Sequence, residues 1–140
     1  NVIPGQTFLT LDVRHQSDAR RLAAVKSLRK KAGDIAKRRG LKLVWAPVQE
    51  NNAVPCDKIL TQTLSQSVAR RGLKSHKLPS GAGHDAVVLS KVCPVAMLFV
   101  RCKNGISHNP DESVKASDVQ VAIQVLTDFL TQVAAAYDRR

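Results

Sequence analysis

Six consecutive apolar residues, Val95-Ala96-Met97-Leu98-Phe99-Val100, stand between Pro94 and Arg101. No other stretch narrows the choice of fold as far. A strand with one wet face alternates apolar and polar residues, whereas a strand covered on both faces reads as an unbroken apolar run. The run therefore predicts a strand inside a parallel or mixed α/β sheet. Polar turns lie to either side of it, each carrying a histidine: Ser80-Gly81-Ala82-Gly83-His84-Asp85-Ala86 upstream, and Gly105-Ile106-Ser107-His108-Asn109-Pro110-Asp111-Glu112 downstream.

The rest of the chain follows a comparable rhythm. Thr7 to Arg14 alternates, with Leu9, Leu11 and Val13 on one side, and predicts a half-buried strand with those three as its core face. Ser17 or Asp18 suits a helix N-cap, and Leu22, Val25, Leu28, Ala32, Ile35 and Ala36 then recur at helical spacing. Gly40 suits the stop. Leu41 to Val48 predicts a second strand, which Pro47 pushes to an edge or an exit. Pro55 suits the first turn of a second helix carrying Ile59, Leu60, Leu64 and Val68, with Gly72 as its stop. A short extended piece, residues 73–78, precedes a short helix from Asp85 to Val92. Ser117 and Gln120 have capping-box spacing ahead of a last helix with Val119, Ala122, Ile123, Leu126, Phe129, Leu130 and Val133 on its stripe. Val121 and Val125 widen that stripe and predict a largely buried helix. The predicted fold class is α/β: an α+β layer with helices on a small antiparallel sheet, then the helix–strand–helix edge of a larger α/β domain.

With 140 residues, 44% of them hydrophobic, the chain fits one domain or two small halves around a real core. The first residue is Asn, which suggests a piece of a longer protein. No apolar stretch is expected to reach the roughly 20 residues of a spanning helix, and no membrane contact is expected. Cys56, Cys93 and Cys102 lack paired spacing, so a reducing, cytoplasmic setting is expected, with each thiol a small buried hydrophobe. The net charge of +11 raises the question of nucleic acid. Much of it lies in Arg20, Arg21, Lys26, Arg29, Lys30, Lys31, Lys37, Arg38 and Arg39, but aromatics are only 4% and no stacking cluster appears, so a nucleic-acid partner is not expected.

Three groups of residues carry chemistry. His108, in a turn fixed by Gly105 and Pro110, can ligate a metal, with Asp111 and Glu112 to orient its ring; an ordinary surface-turn histidine has the same pattern. His84 opens a helix after glycines whose N–H groups can meet an anion, and it can donate a hydrogen bond there; a capped, flexible connector reads the same way. Arg14, ending the first strand, can clamp a carboxylate through two hydrogen bonds, with Asn1 and Asn51 adding amides, or it is an ordinary surface arginine.

Taken together, the two histidine turns, with Leu78-Pro79 ahead of the first and Met97-Leu98-Phe99-Val100 between them, closely resemble the C-terminal part of the N-carbamoyl-L-amino acid hydrolase, allantoate amidohydrolase and ureidoglycolate amidohydrolase family. This family belongs to the two-metal aminoacylase and carboxypeptidase superfamily. Asn1-Val2-Ile3-Pro4-Gly5 and Leu11-Asp12-Val13-Arg14 match the start of its lid segment. The resemblance implies a dimeric, two-domain hydrolase of ureido C–N bonds using two divalent ions, zinc or manganese. It implies that residues 1–78 form most of the lid and dimerisation domain, and residues 79–140 the returning part of the catalytic domain. By the same match His108 is a metal ligand, Gly83 and His84 contact substrate, and Asn1 and Arg14 reach over to its carboxylate.

One departure matters. The family's HxD motif and Glu-Glu pair, which hold the metals and the general base, have no counterpart here, since the two glutamates are Glu50 and Glu112. No catalytic residue is therefore expected in this chain, and by itself it is expected to hydrolyse nothing. A non-catalytic dimerisation or lid module is the alternative, and a basic nucleic-acid-binding domain is a less favoured one.

Overall fold

The computed structural model describes residues 2–138, with the backbone alone at Tyr137. Four α-helices occur among them: α1 (Asp18–Arg38), α2 (Lys58–Ala69), α3 (Asp85–Leu89) and α4 (Ala116–Tyr137). A short 3-10 turn, Lys103–Gly105, lies between α3 and α4. No strand occurs among the described residues, so the α/β fold class and its small antiparallel sheet are corrected to an all-helical arrangement. The reason lies in what alternation encodes. It says which side of a segment is fit for burial, but a ladder also needs a neighbour to receive its N–H and C=O groups. Here Val95 finds a single backbone partner, accepting from the Asp57 N–H at 2.8 Å, and Lys103 donates to the Ser113 carbonyl at 2.7 Å. The supposed core face of the first segment stays open, with Leu9 90% exposed.

The chain divides into two compact units, residues 1–53 with 79–82, and residues 54–78 with 83–140. In the first, α1 begins at Ser17 as N-cap, without a side-chain cap bond. Asp18 takes over that end: its carboxylate accepts the Ala53 N–H at 3.2 Å and pairs with Arg21 at 3.3 Å. A carboxylate at a helix N-terminus is also favoured by the helix dipole. The other end closes as the sequence predicts. Gly40 has φ +64°, the Leu41 N–H donates to the Ala36 carbonyl at 2.9 Å, and the Gly40 N–H donates to Lys37 at 3.3 Å. This is a Schellman closure, which a side chain at Gly40 would strain. Ala36 is the helix's one buried residue; Leu22, Leu28 and Ile35 are exposed. No sheet covers its apolar side.

In the second unit, α2 packs against α4. Leu64 on α2 and Val125 on α4 are buried, the latter with 2% exposure. Ser67 is fully buried between them, and Gln132 Nε2 donates to its Oγ at 2.8 Å and to Asp128 Oδ2 at 3.1 Å. Arg70 pairs with Asp128 at 3.1 Å on the outer side of the seam. A buried hydroxyl is tolerated only with such a partner.

Several local expectations change. α2 starts after Asp57, whose carboxylate caps it by accepting the Leu60 N–H at 2.8 Å; Pro55 lies outside. α4 is capped from Lys115, so Ser117 and Gln120 sit inside the helix and form no capping box. Nor is α4 largely buried, since Ile123, Leu126 and Leu130 are exposed. Its stretch Ala116–Ala136 has the length and mean hydropathy, 1.3, of a membrane span, contrary to expectation. On the side that meets α2 it carries the polar seam of Gln132 and Asp128. None of the cysteines is buried, and Cys93 is exposed. Ala36, Leu64, Val95 and Val125 make up the buried apolar set among the described residues, a small core for this composition.

Candidate functional site

In the first unit, Arg14 draws two distant motifs together. Its Nε donates to Asp12 Oδ1 at 3.0 Å, Nη2 donates to Oδ2 of the same carboxylate, and Nη1 donates to the Gly81 carbonyl at 2.6 Å. The receiving turn is tightened by the Ala82 N–H donating to Ser80 Oγ at 3.2 Å. Arginine and aspartate two residues apart project to the same side of an extended segment, which permits the grip. Hydrogen bonding from Arg14 holds the Asp12 carboxyl below its usual range, and Asp12 in turn raises the guanidinium. Both side chains face solvent. Asn1 lies outside the described residues, and Asn51 is exposed.

In the second unit, His84 is the N-cap residue of α3, half-buried, with its ring edge-to-face on Phe99 at 5.5 Å between centroids. The contact sets the imidazole against the apolar run. Gly83 beside it is exposed, with open space where a Cβ would stand. α3 spans only five residues, so its end gives little dipole to hold an anion.

The His108 loop is built by backbone and carboxylate together. Asn104, Gly105 and His108 all have positive φ, at 57°, 72° and 56°. His108 is the unexpected member, because a non-glycine residue there needs local support. Glu112 supplies it: its Oε2 accepts the His108 N–H at 2.7 Å, and its Oε1 accepts from Cys102 Sγ at 3.5 Å. Asn109 adds a turn bond, its Oδ1 accepting the Asp111 N–H at 3.0 Å. Glu112 thus fixes the backbone at His108, where the sequence suggested it would orient the ring. Burial pushes the Cys102 thiol up, and Glu112 adds to the shift. A depression of about 310 Å³ beside the loop is lined by Lys103, Asn104, Ile106, Asp111 and Ser113, and another of about 210 Å³ by Arg101, Cys102, Lys103, Asn104, Lys115 and Asp118. Neither includes His84 or His108.

Sequence patterns missed the Asp12 grip, the Asp57 cap and the Glu112 brace. A carboxylate two residues before Arg14 was the legible signal for the first. For a metal the donor set falls short. No group of three His, Cys, Asp or Glu side chains placed to hold a metal ion occurs among the described residues. Catalytic zinc sites use three protein ligands per ion, so these residues do not make a two-metal centre among themselves.

The family model for peptidase family M20/M25/M40 matches residues 16–132. The chain is 38% identical over 148 residues to a probable allantoate deiminase of Oryza sativa subsp. japonica, covering 96% of this chain and 30% of that protein. It is 35% identical over 134 residues to an N-carbamoyl-L-amino acid amidohydrolase of Geobacillus stearothermophilus, covering 96% and 33%. The solved structure of AtUAH in complex with glyoxylate superposes with a TM-score of 0.73 at 27% identity, over 85% of this chain and 28% of that one. The chain thus spans about a third of the length of these relatives. Hydrolases of this group are generally metal-dependent. A match over most of its residues, joined to relatives with those names, places this chain in the peptidase M20/M25/M40 family.

Proposed function

We propose that this chain serves as the substrate-gripping part of a metal-dependent amidohydrolase that cleaves the ureido C–N bond of an N-carbamoyl amino acid, allantoate or a similar ureido acid. The observation that carries the reading is Arg14, presented at the surface and held by Asp12 and the Gly81 carbonyl. An oriented guanidinium is suited to a carboxylate, and fixing the substrate's acid end supplies positioning. In this reading Asn1 and Arg14 hold the carboxylate, and Gly83 and His84 contact the ureido end. His84 donates a hydrogen bond where negative charge develops. His108 supplies one ligand to a zinc or manganese centre whose remaining ligands, with the general base, come from residues outside this set. A divalent ion there supplies a polarised carbonyl and an activated water. Residues 1–78 act as the lid and dimer contact, and residues 79–140 belong to the catalytic part. A cytoplasmic setting goes with the unpaired thiols.

The test uses the Geobacillus relative with its matching third exchanged for this chain. His108→Ala is expected to lower bound metal by inductively coupled plasma mass spectrometry, and Arg14→Ala to raise KM for N-carbamoyl amino acids. Unchanged metal in the first, or unchanged KM in the second, removes that residue's role. The exposed apolar residues of α4 favour a second reading, a non-catalytic dimerisation module. Gel filtration of the chain alone as a well-behaved monomer would count against it.

A further inference from the structure

A guanidinium carries five N–H bonds. Asp12 takes the Nε–H and one Nη2–H, and the Gly81 carbonyl takes one Nη1–H. Among the described residues, two N–H bonds are left, one on each terminal nitrogen. A carboxylate needs two donors from one fork to be held in a fixed orientation. Asp12 thus holds the group along its Nε–Nη2 side and Gly81 holds it at Nη1, and among the described residues one donor is left on each terminal nitrogen. Without such a hold, an exposed arginine spreads over many rotamers, and ordering it on binding costs affinity.

We propose that Asp12 is a positioning residue, which orients Arg14 toward the carboxylate of the substrate. The inference rests on the reading that Arg14 binds that carboxylate. It makes a claim of opposite sign to simple charge screening. As a neighbouring anion, Asp12 weakens the attraction of Arg14 for another anion, so its removal would tighten binding if screening were its whole effect. As a positioning group, its removal loosens binding.

Two measurements decide. In the exchanged enzyme described above, Asp12→Ala and Asp12→Asn are compared on an N-carbamoyl amino acid and on its carboxamide analogue. Asp12→Ala is expected to raise KM for the acid roughly tenfold, the scale of one charge-assisted hydrogen bond. It should leave kcat within a factor of about two and KM for the carboxamide unchanged. In an Arg14→Ala background it should add nothing. Equal losses on both substrates, or a lower KM for the acid, overturn the proposal. If Arg14→Ala itself leaves KM for the acid unchanged, the underlying carboxylate reading fails instead. In the chain itself, the Nε–H proton of Arg14 is expected to exchange with solvent more slowly than that of Arg38 in an NMR exchange measurement, and to lose this protection in Asp12→Ala. Equal exchange at the two arginines overturns the lock whatever the enzyme assay gives.

Discussion

α1 and α4 are of nearly equal length and are stabilised differently. α1 has 21 residues and α4 has 22, and each carries an apolar stripe. Yet α4 buries Val125 against α2 and closes a polar seam through Ser67, Gln132 and Asp128, while α1 buries only Ala36. The charge differs as well. Residues 1–53 hold eleven Lys and Arg against four Asp and Glu, and eight of those cations lie on α1. Most of them, including Arg20, Lys26, Lys30 and Lys31, make no ion pair among the described residues. An amphipathic pattern therefore marks a face fit for burial, and only a partner element turns it into stabilisation. α2 and α4 have that partner within the chain, and α1 draws its order from its two ends.

The contrast can be broken most sharply in the core. Val125→Ala and Leu64→Ala are expected to destabilise the second unit by about 2–4 kcal/mol each, through lost burial and residual cavity. Leu28→Ala on α1 should change stability by less than about 0.5 kcal/mol, because that side chain is already partly in water. Urea unfolding followed by circular dichroism measures all three, and equal effects would erase the distinction between the helices.

The seam comes next. Gln132→Leu removes the donor shared by Ser67 Oγ and Asp128 Oδ2, while the Ser67 hydroxyl keeps its bond to Asp128, at a cost of about 1–2 kcal/mol. Ser67→Ala should cost less in the Gln132→Leu background than alone, since both changes remove the same Gln132–Ser67 bond. A strictly additive double-mutant cycle would show that the seam is not coupled.

For α1 the sensitive position is its end. Gly40→Ala places a Cβ at φ +64° with nothing within 4 Å to clash, so only backbone strain is at stake. A loss of about 1 kcal/mol is expected, seen as fraying of residues 35–39 in amide hydrogen exchange.

The smallest effect is electrostatic. Arg101 forms two hydrogen bonds to Asp118, at 2.8 and 2.9 Å, in the first turn of α4. Hydrogen bonding from Arg101 holds the Asp118 carboxyl below the usual carboxylate range. A carboxyl depressed in the folded state contributes stability that is present above its unfolded pKa and lost as pH falls through the folded value. The contribution should therefore fade below about pH 4, where ordinary carboxylates begin to protonate. Asp118→Asn should flatten only this acid limb of a stability–pH profile; a change near neutral pH would contradict the assignment.

Helices were largely legible in the sequence because their periodicity, caps and stops are local. Gly40 fulfils its predicted stop, and Leu64 and Val125 lie where the stripes put them. Strands were not legible, because a ladder depends on residues distant in sequence, and the alternation of Leu9, Leu11 and Val13 cannot report whether they are met. The site divides along the same line. The histidine turns and Arg14 stand out as motifs, and the resemblance they carry agrees with the family match. The Asp12 grip, the His84–Phe99 contact and the brace from Glu112 to His108 depend on backbone conformation, which residue types do not declare. The positive φ at His108 illustrates this, since nothing in Gly-Ile-Ser-His announces it.

That the chain grips substrate while contributing too few ligands for a metal centre is most directly tested by loading it with zinc or manganese. The loaded chain is then dialysed, and its metal content and allantoate hydrolysis are measured. The expected result is less than one tightly held ion per chain and no turnover. Two retained ions per chain with measurable hydrolysis would contradict the account.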